Sequence, residues 1–367
     1  MGRHIEMLAK HWRSISLPFD RIVFCAPLTG EGVDLSGNDS ISQEPHGETT
    51  IEFLPMPAPV PNLIWEQAVL PKAARKSALL FCPSYTCPLI YNGRIVLANH
   101  GIYEALPQEF PLMERLRATP INWLSARRAD HVIANSLSTK GDLVKFFGLS
   151  PEKLSVVLPA ASDLCWETYS PEEIRDEVVR HLGADVPYVV FVGKMAKRRH
   201  VPNLIQAFDR VKKEHALPHR LLLVGPNTSD QPIEQYIDAA GGADVVRWTK
   251  HLEMLPLAKI YAGAEVYSLP TTYEGISQTM FEAMASGAAV LTVEHPVLAE
   301  GGGDAVLAVR TPSVDDLAAG LEKLLLDKPF RLDLVARARQ RAALFSWRKT
   351  AEQTMAILDR IALKQDP

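Results

Sequence analysis

Residues 264–291 read "AEVYSLPTTYEGISQTMFEAMASGAAVL", and the way this stretch divides decides the fold. "AEVYSLP" has the length and the aromatic and branched residues of a strand, and proline closes it. "TTYEGIS" is a loop rich in hydroxyl groups. "QTMFEAMAS" is built of helix formers, and Gly287 behind it suits a left-handed C-cap before the next strand, "AAVLTV". Strand, loop, helix, strand is the repeating unit of a parallel α/β sheet, whose ligands gather beyond the carboxyl ends of its strands.

The same alternation extends in both directions. "DRIVFCAP", "ALLFCPS", "GRIVLANHG", "DHVIANS" and "KLSVVLP" read as the strands of one N-terminal sheet. A polar, helical connector, "SDLCWETYSPEEIRDEVVRHLG", follows it. A second sheet then begins with "YVVFVGK" and continues through "RLLLVGPN", "DVVRWT", "AEVYSLP", "AAVLTV" and "AVLAV". Helices such as "VPNLIQAFDRVKKEH" and "VDDLAAGLEKLLL" intervene. With 367 residues, two domains are expected. They are placed at 1–168 and 169–345, with a closing helix in 346–367 that completes the first. The proline-rich "LPMPAPVPN", residues 54–62, reads as an extended surface loop.

Apolar residues make up 47% of the chain and charged residues 22%, with a formal net charge of -4. This is the balance of an ordinary globular protein, and it gives no footprint for nucleic acid. Cys25, Cys82, Cys87 and Cys165 lack the spacing of a disulfide framework or a metal site and read as reduced and mostly buried. The start, "MGRHIEMLAKHW", is an amphipathic helix, and no segment is apolar over the length of a membrane span. The expectation is cytoplasmic, with peripheral contact at the inner face of the cytoplasmic membrane left open. Lys72, Arg75 and Lys76 with the nearby Trp65 form a basic segment that suits anionic headgroups, with a solvated helix as the preferred reading.

The loop and helix start at 274–282 suit a phosphorylated sugar, while two glutamates near a helix N-terminus also serve the macrodipole as solvated residues. The backbone amides of Ile276, Ser277, Gln278 and Thr279 fall where a helix N-terminus leaves donors unpaired, and Gly275 permits close approach. Glu274 in the loop and Glu282 inside the helix are spaced to reach different hydroxyl groups of one elongated ligand. A second loop after a strand, in "YVVFVGKMAKRRHVPNLIQAF", places Lys194, Lys197, Arg198, Arg199 and His200 behind Gly193. Four cations at a helix start oppose the macrodipole, which suggests a function rather than a solvated face.

Together these motifs resemble the retaining glycosyltransferases of family 4. The family's pair of glutamates separated by seven residues matches Glu274 and Glu282. Its strand, glycine, arginine and later lysine match Gly193, Lys194 and Arg199, with the two basic types exchanged and His200 standing where glycine is usual. "ARRADHVIANSLSTKGDLVKFFGLSPEKLSVVLPAASD" and "FSWRKTAEQTMAILDRIA" are similar to further family segments. "RWTKHLEMLPLAKIY" loosely resembles the stretch around the nucleobase.

The resemblance implies a GT-B fold, two Rossmann-like α/β domains whose parallel sheets face an interdomain cleft. It implies transfer of a hexosyl unit from a UDP- or GDP-linked donor to a saccharide or lipid-linked acceptor, in polysaccharide, glycolipid or cell-envelope glycan synthesis. No metal and no separate cofactor is expected. In that reading Glu282 holds the ribose and Glu274 the hexose, while Lys194 and Arg199 hold the diphosphate and act on turnover rather than folding. The loop amides from Gly275 to Thr279 assist, and His100 touches the transferred sugar.

Departures from the family pattern stand beside these matches. The family's first strand and glycine-rich loop are expected to be missing ahead of Met1, with weak or absent activity as the consequence. The junction reads Ala160, Ala161, Ser162, Asp163 in place of the usual motif, and "EGISQT" replaces "EGFGLP". A noncatalytic nucleotide-binding partner subunit is the alternative.

Overall fold

A computed structural model of the chain describes residues 2–28, 44–46, 49–57, 62–103, 112–229 and 231–363. The chain divides into two compact units, one of residues 1–159 with 347–367 and the other of residues 160–346. The division falls ahead of the expected 168, because Ala161 and Cys165 are buried in the second unit's core. The C-terminal helix, Trp347–Ala362, belongs to the first unit.

The first unit opens with α1 (Gly2–Trp12), whose Trp12 indole donates to the carbonyl of Ala351 on the C-terminal helix at 3.2 Å. Next come β1 (Arg21–Leu28), β2 (Glu44–His46) and β3 (Thr49–Pro57), a three-stranded sheet in the order β1-β3-β2. A separate parallel sheet holds β4 (Leu80–Cys82), β5 (Ile95–Asn99), β6 (His131–Ala134) and β7 (Leu154–Val156), in chain order. α2 (Leu112–Arg128) leads into β6, and α3 (Leu137–Phe147) leads away from it. The single N-terminal sheet expected from the sequence is therefore two sheets among the described residues. "DRIVFCAP" pairs with β3 instead of joining β4 to β7.

That pairing also corrects the reading of residues 54–57 as loop. They continue β3 in parallel with β1, from Cys25 opposite Leu54 to Leu28 opposite Pro57. β2 pairs with β3 at Thr49, Thr50 and Ile51, so among the described residues the later part of β3 pairs with β1 alone. Proline is tolerated where no ladder donor is required. Residues 58–61 lie outside the described residues, as do 29–43 and 47–48. In the helical segment that follows, Trp65 is buried. It is therefore unavailable to rest on lipid headgroups beside Lys72, Arg75 and Lys76.

The second unit begins with α4 (Pro171–Leu182), where Ser170 and Glu173 form a reciprocal capping box. Six parallel strands follow, β8 (Tyr188–Val192), β9 (Arg220–Val224), β10 (Val246–Thr249), β11 (Val266–Leu269), β12 (Ala289–Val293) and β13 (Leu307–Val309). Between them run α5 (Val201–Glu214), α6 (Ile233–Ala239), α7 (Met254–Gly263), α8 (Gln278–Ser286) and α9 (Pro296–Gly302). α10 (Val314–Leu326) and α11 (Lys328–Ala342) follow β13. Every residue of β8, β11 and β12 is buried, as expected of a sheet with helices on both faces.

The strand order is β10-β9-β8-β11-β12-β13. The chain moves outward from β8 through β9 to β10, then returns to pair β11 against the other side of β8. The topological switch point lies between β8 and β11. Open α/β sheets bind ligands at this position, because the loops leaving the two strands diverge there and leave a crevice.

Candidate functional site

The loops leaving β8 and β11 are tied together. Thr272 N donates to the Arg198 carbonyl at 2.9 Å, and Arg198 Nε donates to the Tyr273 carbonyl at 3.0 Å. Between them lies the central ion pair, with Arg199 Nε 2.8 Å from Glu274 Oε1 and Arg198 Nη2 at 3.8 Å from the same oxygen. Glu274 is 3% exposed. Thr271 Oγ1 donates to it at 3.3 Å. Two of the four cations of this loop are thus turned inward onto a carboxylate, while Lys194 and Lys197 remain exposed.

Glycine makes this geometry possible. Gly193 ends β8 at φ +142°, and a Cβ there would lie 1.8 Å from Arg199 Nη1, so the guanidinium occupies the space a side chain would fill. Gly225 ends β9 at φ +131°, where a Cβ would meet the Gly193 carbonyl oxygen at 2.2 Å. His200, at the family's glycine position, adopts φ +42°, a left-handed conformation that glycine reaches without strain and histidine does not.

α8 begins where the sequence places it. Ser277 is its N-cap, with Oγ accepting from Met280 N at 3.2 Å, and Gly287 closes it at φ +92°. The amides of Gln278 and Thr279 precede the first intrahelical bond, Phe281 N to Ser277 O, so they are the first-turn donors of this terminus. The hydroxyl residues that replace the family's usual pattern form a chain. Ser277 Oγ lies 3.2 Å from Thr279 Oγ1, which lies 2.8 Å from the hydroxyl of Tyr267. Burial pushes the Tyr267 phenol well above its ordinary pKa, so it enters this chain as a neutral hydroxyl.

Glu282 is fully enclosed, at 0% exposure, and accepts from the Tyr261 hydroxyl at 3.4 Å. The two glutamates are therefore not equivalent. Glu274 is held by arginine and Glu282 by a tyrosine beneath the helix. Glu282→Gln preserves shape while removing charge. If Glu282 receives a ribose, this variant should weaken nucleoside diphosphate binding by about 1.5–3 kcal/mol, the range for a hydrogen bond to a charged group. Titration calorimetry showing parental affinity would remove Glu282 from the site.

In the first unit His100 follows β5, with Nε2 2.8 Å from the Pro83 carbonyl oxygen. That carbonyl can only accept, so Nε2 carries the proton and Nδ1 offers a lone pair. Asn135 Nδ2 donates to the His100 carbonyl at 3.3 Å. The rings of His4 and Tyr85 meet His100 edge-on at 5.1 and 5.7 Å, and His4 also meets Trp347 at 5.2 Å.

Burial, with His100 beside it, lowers the His4 pKa from 6.5 to about 3. The folded chain therefore holds His4 neutral, and the unfolded chain binds the extra proton below pH 6.5. The stabilisation is complete above pH 6.5 and is lost as pH falls toward 3, by about 1.4 kcal/mol per pH unit at most. The thermal unfolding midpoint should therefore fall between pH 7 and pH 5, and His4→Phe should flatten that slope. Parallel slopes for the two proteins would refute the linkage.

Several residues of these clusters carry no linear signal. Tyr261 and Tyr267 join the second unit's site through packing across the sheet, and His4 joins His100 from α1. A concavity of about 330 Å³ opens at the end of β12, lined by Thr292, Glu294 and His295. Tyr273 meets the His295 ring edge-on at 6.0 Å, which places this concavity beside the Glu274 loop. Among the described residues no group of His, Cys, Asp and Glu is placed to hold a metal ion.

The chain matches two family descriptions, Glycosyltransferase Family 4 over residues 1–161 and Glycosyl transferases group 1 over residues 174–341. It is 31% identical to an MMP alpha-(1->4)-mannosyltransferase of Mycolicibacterium hassiacum, over 64% of this chain and 55% of that protein. It is 28% identical to a D-inositol 3-phosphate glycosyltransferase of Corynebacterium aurimucosum, over 72% of this chain and 64% of the relative. The chain thus spans less than two thirds of the length of either relative. The crystal structure of Anabaena HepE in complex with UDP and glucose superposes with a TM-score of 0.75 at 17% identity, covering 98% of this chain and 95% of that one. This likeness fixes the fold as GT-B.

Proposed function

The chain belongs to the group 1, family 4 glycosyltransferases of GT-B fold, and from that premise we propose that it moves a hexosyl unit from a nucleotide-diphosphate sugar to an acceptor hydroxyl with retention. The observation that carries the reading is the buried Arg199–Glu274 pair at the switch point, beside the α8 N-terminus. It sets a cation for a leaving diphosphate next to a carboxylate for sugar hydroxyls.

In this scheme the acceptor oxygen attacks the anomeric carbon on the face from which the diphosphate departs. The carbon–oxygen bond to the diphosphate breaks, and the acceptor proton passes to a diphosphate oxygen. Charge grows on the leaving group as that bond opens. Lys194, Arg199 and the amides of Gln278 and Thr279 are the groups assigned to stabilise it. The backbone from Gly275 to Ser277 approaches the sugar, and Glu274 accepts from its hydroxyl groups. The site's chemistry suits UDP or GDP donors, and the acceptor class is a saccharide or a lipid-linked glycan. Peripheral contact with an anionic membrane surface fits a lipid-linked acceptor. Among the described residues no helix is long and apolar enough to cross a membrane.

His100 is assigned to the transferred hexose, with Nδ1 as the hydrogen-bond acceptor. The test is His100→Ala assayed against UDP- and GDP-hexoses for transfer and donor hydrolysis, with nucleotide affinity measured separately. Turnover should fall by about 10²-fold, at the low end for a lost polar contact in the transition state, while nucleoside diphosphate affinity holds. Parental turnover would remove His100 from the chemistry. Tight nucleotide binding by the parent chain without transfer or hydrolysis would favour a noncatalytic partner subunit.

A further inference from the structure

The loop that leaves β4, residues 83–89, is anchored at both ends. At its start the Pro83 carbonyl lies 2.8 Å from His100 Nε2, and Tyr85 N donates to the Ala98 carbonyl at 3.0 Å. At its far end the Gln67 side chain grips the backbone. Gln67 Nε2 donates to the Cys87 carbonyl and Gln67 Oε1 accepts from Leu89 N, both at 2.9 Å. The second Nε2 proton goes to Glu66 Oε1 at 3.0 Å, and Glu66 Oε2 accepts from the Thr86 hydroxyl at 2.7 Å. The Leu89 N–H fixes which end of the Gln67 amide is oxygen, and both of its N–H groups are used. α2 adds one tie, with Cys87 N donating to Ser125 Oγ at 3.1 Å.

Between the two anchors stands Tyr85, at φ +39°. A side chain in this left-handed region is strained, and the strain persists only where the surroundings hold it. The Tyr85 ring meets His100 edge-on at 5.7 Å. Glu66 and Gln67 themselves lie in a π turn, Trp65–Val69, closed by Leu70 N donating to the Trp65 carbonyl. Such turns are rare and gather at functional sites. A loop held for stability alone gains nothing from a strained tyrosine between its anchors.

We propose that Gln67, supported by Glu66, is a positioning residue for the transfer reaction, clamping residues 86–89 so that the Pro83 carbonyl and the Tyr85 ring hold His100 in one tautomer and one orientation. Releasing the clamp lets Tyr85 relax to negative φ, which carries the carbonyl and the ring away from the imidazole. His100 can then turn or move its proton, and Nδ1 is no longer a fixed acceptor. The inference rests on the assignment of His100 to the transferred hexose.

The test is a kinetic cycle in the full chain, with turnover of UDP-glucose and GDP-mannose measured for the parent, Gln67→Leu, His100→Ala and the double variant. Gln67→Leu should lower turnover about tenfold or more through misplacement of His100. Affinity for UDP or GDP should hold, because the residues assigned to the nucleotide lie in the second unit. Since Gln67 acts through His100, the double variant should turn over no more slowly than His100→Ala. Losses that add would overturn the proposal, as would parental turnover in Gln67→Leu. Thr86→Val removes only the tie to Glu66 and should show a smaller loss, again absent in the His100→Ala background. It decides the question by the same criteria if Gln67→Leu does not fold. Parental turnover in His100→Ala, or a parent that turns over neither donor, would overturn the underlying reading and this inference with it.

Discussion

Arg199→Ala should cost the chain both stability and turnover, and a second substitution should separate the two losses. The Arg199 and Glu274 side chains are 12% and 3% exposed, and their contact is 2.8 Å. Removing the arginine leaves the carboxylate with Arg198 at 3.8 Å and the Thr271 hydroxyl at 3.3 Å. Stranding a buried charge costs about 3–5 kcal/mol. Glu274→Gln in the same chain removes the stranded charge, so the double variant should recover most of that stability. Turnover should not return with it. Arg199 is assigned to charge that develops on the leaving group, and losing one such donor lowers rate by about 10²–10³. Urea unfolding and initial rates over the four proteins of the cycle measure both terms. Parental stability of Arg199→Ala would show that the pair contributes nothing to the fold. Recovery of turnover in the double variant would remove both Arg199 and the Glu274 charge from the chemistry.

This prediction differs from the sequence expectation, which assigned Lys194 and Arg199 alike to turnover without folding. Lys194 is exposed, and the expectation stands for it. Arg199 folds back across Gly193 to a loop 75 residues further along, and linear spacing carries no sign of that. The second unit was otherwise legible because its buried strands are dominated by apolar residues, and glycines mark the strand and helix ends where φ is positive. The first unit was less legible at "DRIVFCAP", because a strand's own residues do not name the sheet it joins. β1 finds its partner in a proline-bearing segment whose composition signals a loop. The roles of Tyr261 and Tyr267 were hidden for a different reason. Tyr267 lies inside the strand "AEVYSLP" and Tyr261 ends "RWTKHLEMLPLAKIY", and only packing brings their hydroxyl groups to Thr279 and Glu282.

The strand ends themselves supply the second large effect, with two glycines that should fail in different ways. At Gly225 a Cβ would sit 2.2 Å from the carbonyl oxygen of Gly193, and backbone cannot rotate aside. The Gly225 carbonyl also accepts from the Trp248 indole at 2.8 Å, and its amide donates to Thr249 O at 2.9 Å. Relief by local movement would therefore pull β8, β9 and β10 out of register at their carboxyl ends. Positive-φ strain of about 1–3 kcal/mol and overpacking of about 1–3 kcal/mol make Gly225→Ala destabilising by roughly 2–6 kcal/mol. At Gly193 the clash is with the end of a side chain, Arg199 Nη1 at 1.8 Å. The guanidinium can swing away, so Gly193→Ala should pay mainly the strain at φ +142°, about 1–3 kcal/mol. The swing withdraws Nη1 from the end of β8, while Nε, 2.8 Å from Glu274 Oε1, can keep its contact. Gly193→Ala should therefore lose less turnover than Arg199→Ala while remaining more stable than Gly225→Ala. Denaturant unfolding and donor turnover on the two variants decide the matter. If Gly225→Ala proves the milder of the two in unfolding, the contact between the ends of β8 and β9 is not what holds Arg199 in place.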